Sequence, residues 1–181
     1  MLVRLVLLNQ LVSESFCELS GLLISELHLI LLAKANPSHQ IFVLFASPVG
    51  FRNATPLPLV DSILSYNNVH LNYLNITQYA EKTPLEEWIK NGDLFRSTYI
   101  NSHTSDVLRY LTLWKYGGTY LDLDVVVRKP LDSIPSNYAG AESPFFVAVG
   151  IINLDQSFGH QLAHMCLKYA ILIRIPISKR T

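Results

Sequence analysis

Four segments of the chain have the patterns of apolar residues that are typical of β-strands. The short apolar run IFVLFA at 41–46 predicts a buried strand, and the alternating segment VHLNYLNI at 69–76 predicts a second. The segment TYLDLDVVV at 119–127 is rich in β-branched and aromatic residues, and FFVAVGIINL at 145–154 is largely apolar. Both therefore predict further strands.

Helical periodicity separates these segments. Apolar residues recur at helical spacing within 104–118, which predicts a helix that begins at Thr104 or Ser105 and ends at Gly117-Gly118. Similar patterns predict helices at 60–67, 83–92 and 158–172. Because strands alternate with helices, the chain is expected to form an α/β fold around a mainly parallel sheet flanked by helices.

The N-terminal region is apolar but interrupted. The blocks MLVRLVLLNQLV and GLLISELHLILLA contain charged and amide residues, so neither reaches the roughly 18 to 20 apolar residues that a spanning helix needs. We therefore expect residues 1–36 to be an apolar helical segment without a clear membrane anchor. The main domain is predicted at 37–172, followed by a divergent tail at 173–181.

Charge balance, cysteines and glycosylation triplets give limited information about partners and location. Lys plus Arg equals Asp plus Glu at 14 each, and this balance does not indicate binding to nucleic acid. The two cysteines, Cys17 and Cys166, are compatible with two buried thiols or with one disulfide. Two N-x-[ST] triplets, which begin at Asn53 and Asn75, are compatible with passage through the secretory pathway.

Two aspartates one residue apart are the main candidate for chemistry. In a strand, Asp122 and Asp124 share one face with Tyr120, while Leu121 and Leu123 occupy the other. We expect the leucine face to be the core face and the aspartates to face a cleft or lie beyond the strand's end. Carboxylates about 6 to 7 Å apart repel by roughly 2 to 3 kcal/mol at an effective dielectric near 20. A divalent cation would relieve that repulsion, and oxygen ligands favour Mg²⁺ or Mn²⁺.

The preceding helix adds two more candidates. Asp106 and Arg109 are three residues apart, so they lie on one helix face. The Gly117-Gly118 break allows a sharp turn that returns the chain against the strand with the aspartates. We therefore expect five side chains to gather at one place: Asp106, Arg109, Tyr120, Asp122 and Asp124.

These residues carry a family resemblance. The block at 105–131 resembles the DXD-containing sugar-binding region of the glycosyltransferases related to α-1,4-galactosyltransferase and α-1,4-N-acetylglucosaminyltransferase. The family pattern is S-D-x-x-R, an apolar helix, and then G-G-x-Y-x-D-x-D. Every one of its positions is filled here, by Ser105, Asp106, Arg109, Gly117, Gly118, Tyr120, Asp122 and Asp124.

The resemblance implies a retaining hexosyltransferase with a GT-A-like (Rossmann-like) fold. Its donor would be UDP-galactose or UDP-N-acetylglucosamine, used with Mn²⁺ or Mg²⁺ to form an α-1,4 linkage on a glycolipid or glycan acceptor. By the same resemblance, Asp122 and Asp124 would hold the metal. The donor sugar-nucleotide would contact Asp106, Arg109, Tyr120 and Asp122. Family membership further implies a Golgi-lumen location and membrane association.

The chain departs from the family at its C-terminal side. Val149 lies near the place where the family usually has an asparagine, and the chain stops soon after the helix at 158–172. The family continues there with a region that helps to form the acceptor side. We therefore expect a single incomplete domain, truncated relative to the family and with doubtful activity.

Three alternatives remain open at this point. The first is an inactive relative that binds a nucleotide-sugar without turnover. The second is a haloacid dehalogenase-type phosphatase in which Asp122 is the nucleophile and Asp124 the general acid. The third is a zinc site formed by His160 and His164, a pattern for which a solvated polar helix face is the favoured interpretation.

Overall fold

The structure, a computed structural model, describes residues 4–9, 19–46, 62–144, 146–155 and 157. Its strands are β1 (Arg4–Asn9), β2 (Gln40–Ala46), β3 (Val69–Leu74), β4 (Gly118–Asp122), β5 (Tyr138–Ser143) and β6 (Phe146–Leu154). They form one six-stranded sheet in the order β3-β2-β1-β4-β6-β5. Strands β1 to β4 run parallel, while β6 pairs antiparallel with both β4 and β5. The predicted α/β fold with a mainly parallel sheet is confirmed.

Helices cover both faces of this sheet. They are α1 (Leu19–Ala35), α2 (Ile76–Tyr79), α3 (Glu86–Lys90) and α4 (Ile100–Tyr116), with 3-10 turns at Leu94–Arg96 and Leu131–Ser133. One core cluster joins Leu32 of α1 to Leu121 of β4, and a second joins Leu111 of α4 to Tyr120. Neighbouring strand residues point to opposite faces, so α1 and α4 enclose the sheet from its two sides.

The prediction of a helical segment at 1–36 is right for Leu19–Ala35 and wrong for Arg4–Asn9. The latter forms β1 in the centre of the sheet, between β2 and β4. A short apolar run without alternation suits a parallel strand that is covered on both faces. No helix within the described residues is both long and apolar enough to cross a membrane. The predicted domain limits after residues 36 and 172 stay a prediction.

Strand β4 is shorter than predicted and buried on both faces. It ends at Asp122 rather than at residue 127, and a turn follows in which Val125 N donates to Asp122 O at 3.0 Å. Asp is disfavoured within strands, which agrees with this early end. Tyr120 and Leu121 are both 0% exposed. Helix α4 covers the Tyr120 side of the strand, whereas Asp122 ends β4 and Asp124 lies in the turn after it, which agrees with the expected position of the aspartates at the strand's end.

Helix α4 begins at Ile100, four residues before the predicted start. Thr104 is buried inside the helix rather than capping it, and Ser97 Oγ accepts from Tyr99 N at 3.0 Å just before the first turn. The predicted strand at 69–76 ends at Leu74 because Asn75 caps α2. The helix predicted at 83–92 is found at Glu86–Lys90, and β5 was not predicted.

Several predicted features lie outside the described residues, or largely so. They are the helix at 158–172, the two cysteines, the histidines at 160 and 164, the triplet that begins at Asn53, and residues 60 and 61 of the helix predicted at 60–67. Within that predicted helix, residues 65–67 form a turn, so the prediction is wrong there. Residues 62–64 are helical.

Candidate functional site

Four of the five gathered side chains form one hydrogen-bonded cluster at the carboxyl end of β4. Arg109 Nη1 donates to Asp106 Oδ1 at 2.9 Å, and Arg109 Nη2 donates to Asp122 Oδ1 at 3.0 Å. Arg109 Nη2 also donates to the Tyr120 hydroxyl at 3.2 Å, and that hydroxyl donates to Asp122 Oδ1. The expectation that these four residues meet is confirmed, whereas their part in binding stays a prediction.

Local sequence explains this convergence. Asp106 and Arg109 lie one turn apart on α4, so both can face the same strand. Gly117 and Gly118 then take φ values of 61° and 95°, which reverse the chain directly from α4 into β4. Residues with a side chain rarely adopt these left-handed conformations. Two adjacent glycines therefore allow the helix to lie against the strand that follows it.

The cluster is buried at its cationic centre and open at its acidic rim. Arg109 is 5% exposed, and its guanidinium carbon lies 4.7 Å from the centre of the Tyr120 ring. The side chains of Asp106 and Asp122 are 21% and 31% exposed. Arg109 therefore points inward and holds the two carboxylates at the surface, instead of extending towards solvent.

Burial and charge determine the protonation of this centre. Burial by itself lowers the pKa of Arg109, but Tyr120 and the two carboxylates raise it, so its net pKa lies above the usual value. Burial is the main cause that raises the pKa of Tyr120, and the adjacent Asp122 raises it further. The guanidinium therefore stays charged and the phenol stays protonated, and both donate to the Asp122 carboxylate.

The second oxygen of Asp122 lies against the backbone of β6. A Cβ built on Gly150 would be 3.2 Å from Asp122 Oδ2 and 3.6 Å from a methyl carbon of Val125. Gly150 therefore leaves the space in which this carboxylate sits. Gly150 was not among the residues predicted for the site, although a glycine inside a strand often marks a close approach of another group. Val149 is its neighbour on β6.

Asp124 lies outside the cluster, in the turn after β4, and is exposed. Helix α1 supports this turn, since His28 Nδ1 lies 2.9 Å from the carbonyl oxygen of Leu123. A carbonyl oxygen only accepts hydrogen bonds, so Nδ1 carries the proton in this pair. His28 is thus a residue that sequence analysis missed, and it holds the peptide between the two aspartates.

The carboxylates of Asp122 and Asp124 suit a hard divalent cation whose coordination a bound substrate completes. Among the residues that the structure describes, no group of three or more His, Cys, Asp or Glu side chains is arranged to hold a metal ion. Asp122 and Asp124 offer carboxylate oxygens without imidazole or thiolate. Mg²⁺ commonly binds to one or two carboxylates and to substrate phosphates, and Mn²⁺ also suits oxygen ligands. The two residues therefore fit a metal held jointly with a diphosphate, not a closed protein cage.

Known proteins share this region. Residues 29–141 match the family described as the glycosyltransferase sugar-binding region containing the DXD motif. The lactosylceramide 4-alpha-galactosyltransferase of Rattus norvegicus is 30% identical over 137 residues, which are 75% of this chain and 37% of that protein. The alpha-1,4-N-acetylglucosaminyltransferase of Homo sapiens is 28% identical over 108 residues, 56% of this chain and 31% of that protein. The chain thus spans about a third of the length of these two relatives.

Solved structures show the same fold at low identity. PaToxG glycosyltransferase superposes with a TM-score of 0.63 at 15% identity, covering 97% of this chain and 62% of that one. The Q189E mutant of LgtC superposes with a TM-score of 0.50 at 14% identity, covering 97% and 66%. The GT-A-like prediction is therefore confirmed for the fold. The match over residues 29–141, which includes both the S-D-x-x-R and the D-x-D segments, shows that the chain belongs to the family of glycosyltransferases with a DXD-containing sugar-binding region.

Proposed function

We propose that this chain forms the donor-binding part of a hexosyltransferase. The donor is a UDP-sugar, either UDP-galactose or UDP-N-acetylglucosamine, and the acceptor is a glycolipid or glycan that gains an α-1,4 linkage with retention of configuration. One observation carries the proposal. Asp122 is held at the carboxyl end of β4 by Arg109 and Tyr120, within the segment that matches the family.

The place of this cluster supports donor binding. In open α/β sheets, ligands bind beyond the carboxyl ends of the strands, and Asp122 ends a parallel strand. Asp122 and Asp124 would hold Mn²⁺ or Mg²⁺ together with the donor diphosphate. A bound divalent cation supplies Lewis-acid stabilisation of the charge that develops on the diphosphate when the sugar–phosphate bond breaks.

The other residues have distinct tasks in this proposal. The Asp106 carboxylate is partly exposed, so donor hydroxyls can reach it and donate hydrogen bonds to it. Arg109 and Tyr120 are almost completely buried, which agrees with a role in orienting the carboxylates. We therefore propose that these two residues position Asp122 and Asp106 and contact the donor little, in contrast to the expectation from family resemblance.

Metal-dependent UDP binding by the full chain tests this proposal. Isothermal titration with UDP is performed with Mn²⁺ and in the presence of a chelator. We expect affinity only with Mn²⁺, and a loss of at least tenfold in Asp122→Asn and in Asp124→Asn. The control is Asp93→Asn, because Asp93 pairs with the exposed Arg96 on the protein surface. Equal UDP affinity with and without metal, or in the two site variants, would contradict the proposal.

Turnover separates a transferase from an inactive relative. The relatives' names suggest lactosylceramide as a trial acceptor, with radiolabelled UDP-galactose and UDP-N-acetylglucosamine as donors. Transfer to lipid that is lost in Asp122→Asn supports the enzyme, whereas Mn²⁺-dependent UDP binding without transfer identifies a binding protein. Hydrolysis of an aryl phosphate without UDP affinity would instead support the phosphatase alternative. We further propose a location in the Golgi lumen, at the membrane, as the family implies.

A further inference from the structure

Asn75 is a candidate modification site that is separate from the carboxylate cluster. It begins the triplet Asn75-Ile76-Thr77, which has the acceptor pattern for N-glycosylation. The residue is exposed and directly follows β3, which is the end strand on one side of the described sheet. Within the part of the chain that the structure describes, its side-chain nitrogen makes no hydrogen bond.

The local geometry leaves room for a modification at that nitrogen. Asn75 Oδ1 accepts from Gln78 N at 3.1 Å, and this bond caps α2. Ile76 is only 4% exposed and fixes the start of the helix against the core. Attachment of a sugar replaces one hydrogen on Nδ2 and leaves Oδ1 as an acceptor. The cap and the buried neighbour are therefore compatible with a modified Asn75.

We propose that Asn75 is an N-glycosylation site and that its glycan shields the edge of β3. In the reaction, Nδ2 forms a bond to C1 of an oligosaccharide carried on a lipid diphosphate. The bond from C1 to the diphosphate oxygen breaks, the lipid diphosphate leaves, and the amide proton passes to a base of the transferring enzyme. The modification rests on the luminal location included in the proposed function.

The position of β3 explains what the glycan would do. An end strand presents unpaired backbone groups that invite pairing with another chain. On β3, Tyr73 is 58% exposed and Asn72 is exposed beside it. Strand β3 is separated from β4 by β2 and β1, a lateral distance of about 14 Å at the usual strand spacing. Asn75 follows the carboxyl end of β3, so it lies at the same end of the sheet as Asp122 but next to the edge strand.

The experiment uses the full chain, expressed in a eukaryotic host with a cleavable secretion signal and a C-terminal tag that carries its own acceptor triplet. Asn53→Gln is present throughout, so that Asn75 is the remaining natural acceptor. Mass spectrometry is restricted to molecules whose tag carries a glycan, because these have entered the lumen. We expect a glycan on Asn75 that peptide N-glycosidase removes.

Three variants separate the modification from the fold. Thr77→Ala and Asn75→Asp should abolish the glycan, and Asn75→Asp keeps a capping oxygen. Thr77→Ser keeps the acceptor pattern and should retain the glycan. An unmodified Asn75 in tag-glycosylated molecules overturns the site.

Light scattering and UDP binding test the shielding. Asn75→Asp should aggregate more than its parent at equal concentration, and equal aggregation overturns the shielding of β3. UDP affinity with Mn²⁺ should be unchanged in Asn75→Asp, since the site lies three strands away. If neither the parent nor the variants bind UDP, the donor-site proposal is contradicted. The glycan measurement still shows separately whether Asn75 is modified.

Discussion

Arg109 Nη2 donates to Asp122 Oδ1 across 3.0 Å, and this bond joins helix α4 to the end of strand β4. The same guanidinium binds Asp106, so one buried cation serves two partly exposed carboxylates. An aspartate at the end of a strand next to another aspartate is unfavourable without a nearby positive charge. Arg109 supplies part of that charge from inside the protein, and the outer side of the carboxylates is where the proposed metal would bind.

Replacement of Arg109 by lysine tests this arrangement. A single ammonium cannot reproduce the planar fork that reaches Asp106, Asp122 and Tyr120 together. We expect the free energy of unfolding to fall by about 2 kcal/mol, because a buried ion pair loses its geometry. For a chain of this size the melting temperature should fall by roughly 4 to 8 °C. Mn²⁺-dependent UDP affinity should fall about tenfold, which is the usual effect of replacing a residue that orients a metal ligand.

Arg96→Lys is the matched control for that substitution. Arg96 pairs with Asp93 at the same three-residue spacing, at 3.1 Å, but its side chain is 74% exposed. Exposed pairs contribute little, so the unfolding free energy should change by less than about 0.5 kcal/mol. Thermal denaturation and UDP titration of both variants provide the comparison. Equal effects of the two substitutions would show that the burial of Arg109 has no particular importance.

Tyr120→Phe isolates the hydroxyl that donates to Asp122. The ring keeps its place in the core, so the expected cost is about 1 to 2 kcal/mol for the lost hydrogen bonds. Mn²⁺-dependent UDP affinity should fall about tenfold because one oxygen of Asp122 loses a donor. Tyr79→Phe is the control, since the Tyr79 hydroxyl pairs with Thr112 at 2.9 Å elsewhere. It should lose similar stability and retain UDP affinity.

Gly150→Ala tests the space beside Asp122 Oδ2. The added methyl carbon would be 3.2 Å from that oxygen, so the carboxylate must shift by a few tenths of an ångström. Metal-dependent UDP affinity should fall severalfold, with about 1 kcal/mol or less of lost stability. Gly92→Ala is the control, which should lose stability without losing UDP affinity. Gly92 has a φ of 80° and nothing within 4 Å of its added Cβ. It should lose about 1 kcal/mol from backbone strain alone and keep its UDP affinity.

The predictable parts of the molecule are those determined by neighbours in sequence. The pattern of apolar residues identifies β2, β3 and β6, and helical spacing places Asp106 beside Arg109 on α4. The two glycines at 117 and 118 predict the reversal that follows. Each of these features depends on contacts within a turn or on a local alternation pattern.

The parts that were missed depend on tertiary packing. Strand β1 is an apolar run without alternation, a pattern that suits a central parallel strand and a buried helix equally well. Alternation reveals that Tyr120 and Asp122 share a face, but not that a helix covers this face as far as Tyr120. Gly150 meets Asp122 only through antiparallel pairing of β6 with β4. The contact between His28 and Leu123 spans 95 residues, and no local pattern encodes it.

His28→Phe tests whether helix α1 supports the turn that carries Asp124. The substitution keeps an aromatic ring but removes the donor to the Leu123 carbonyl, 2.9 Å away. The expected cost in stability is about 1 kcal/mol. Mn²⁺-dependent UDP affinity should also fall severalfold, because the peptide between the two aspartates loses its anchor. His28→Gln retains a side-chain N–H donor and should restore part of that affinity.

His70→Phe distinguishes this role from a general effect of losing a histidine. His70 Nε2 pairs with Gln40 Oε1 at 2.6 Å in a half-buried position on β3. Because β3 lies three strands from β4, this variant should lose similar stability without any change in UDP affinity. Titration of UDP into both variants at saturating Mn²⁺ decides between the two explanations. If His70→Phe weakens UDP binding as much as His28→Phe does, the effect is one of overall stability and α1 does not position the turn.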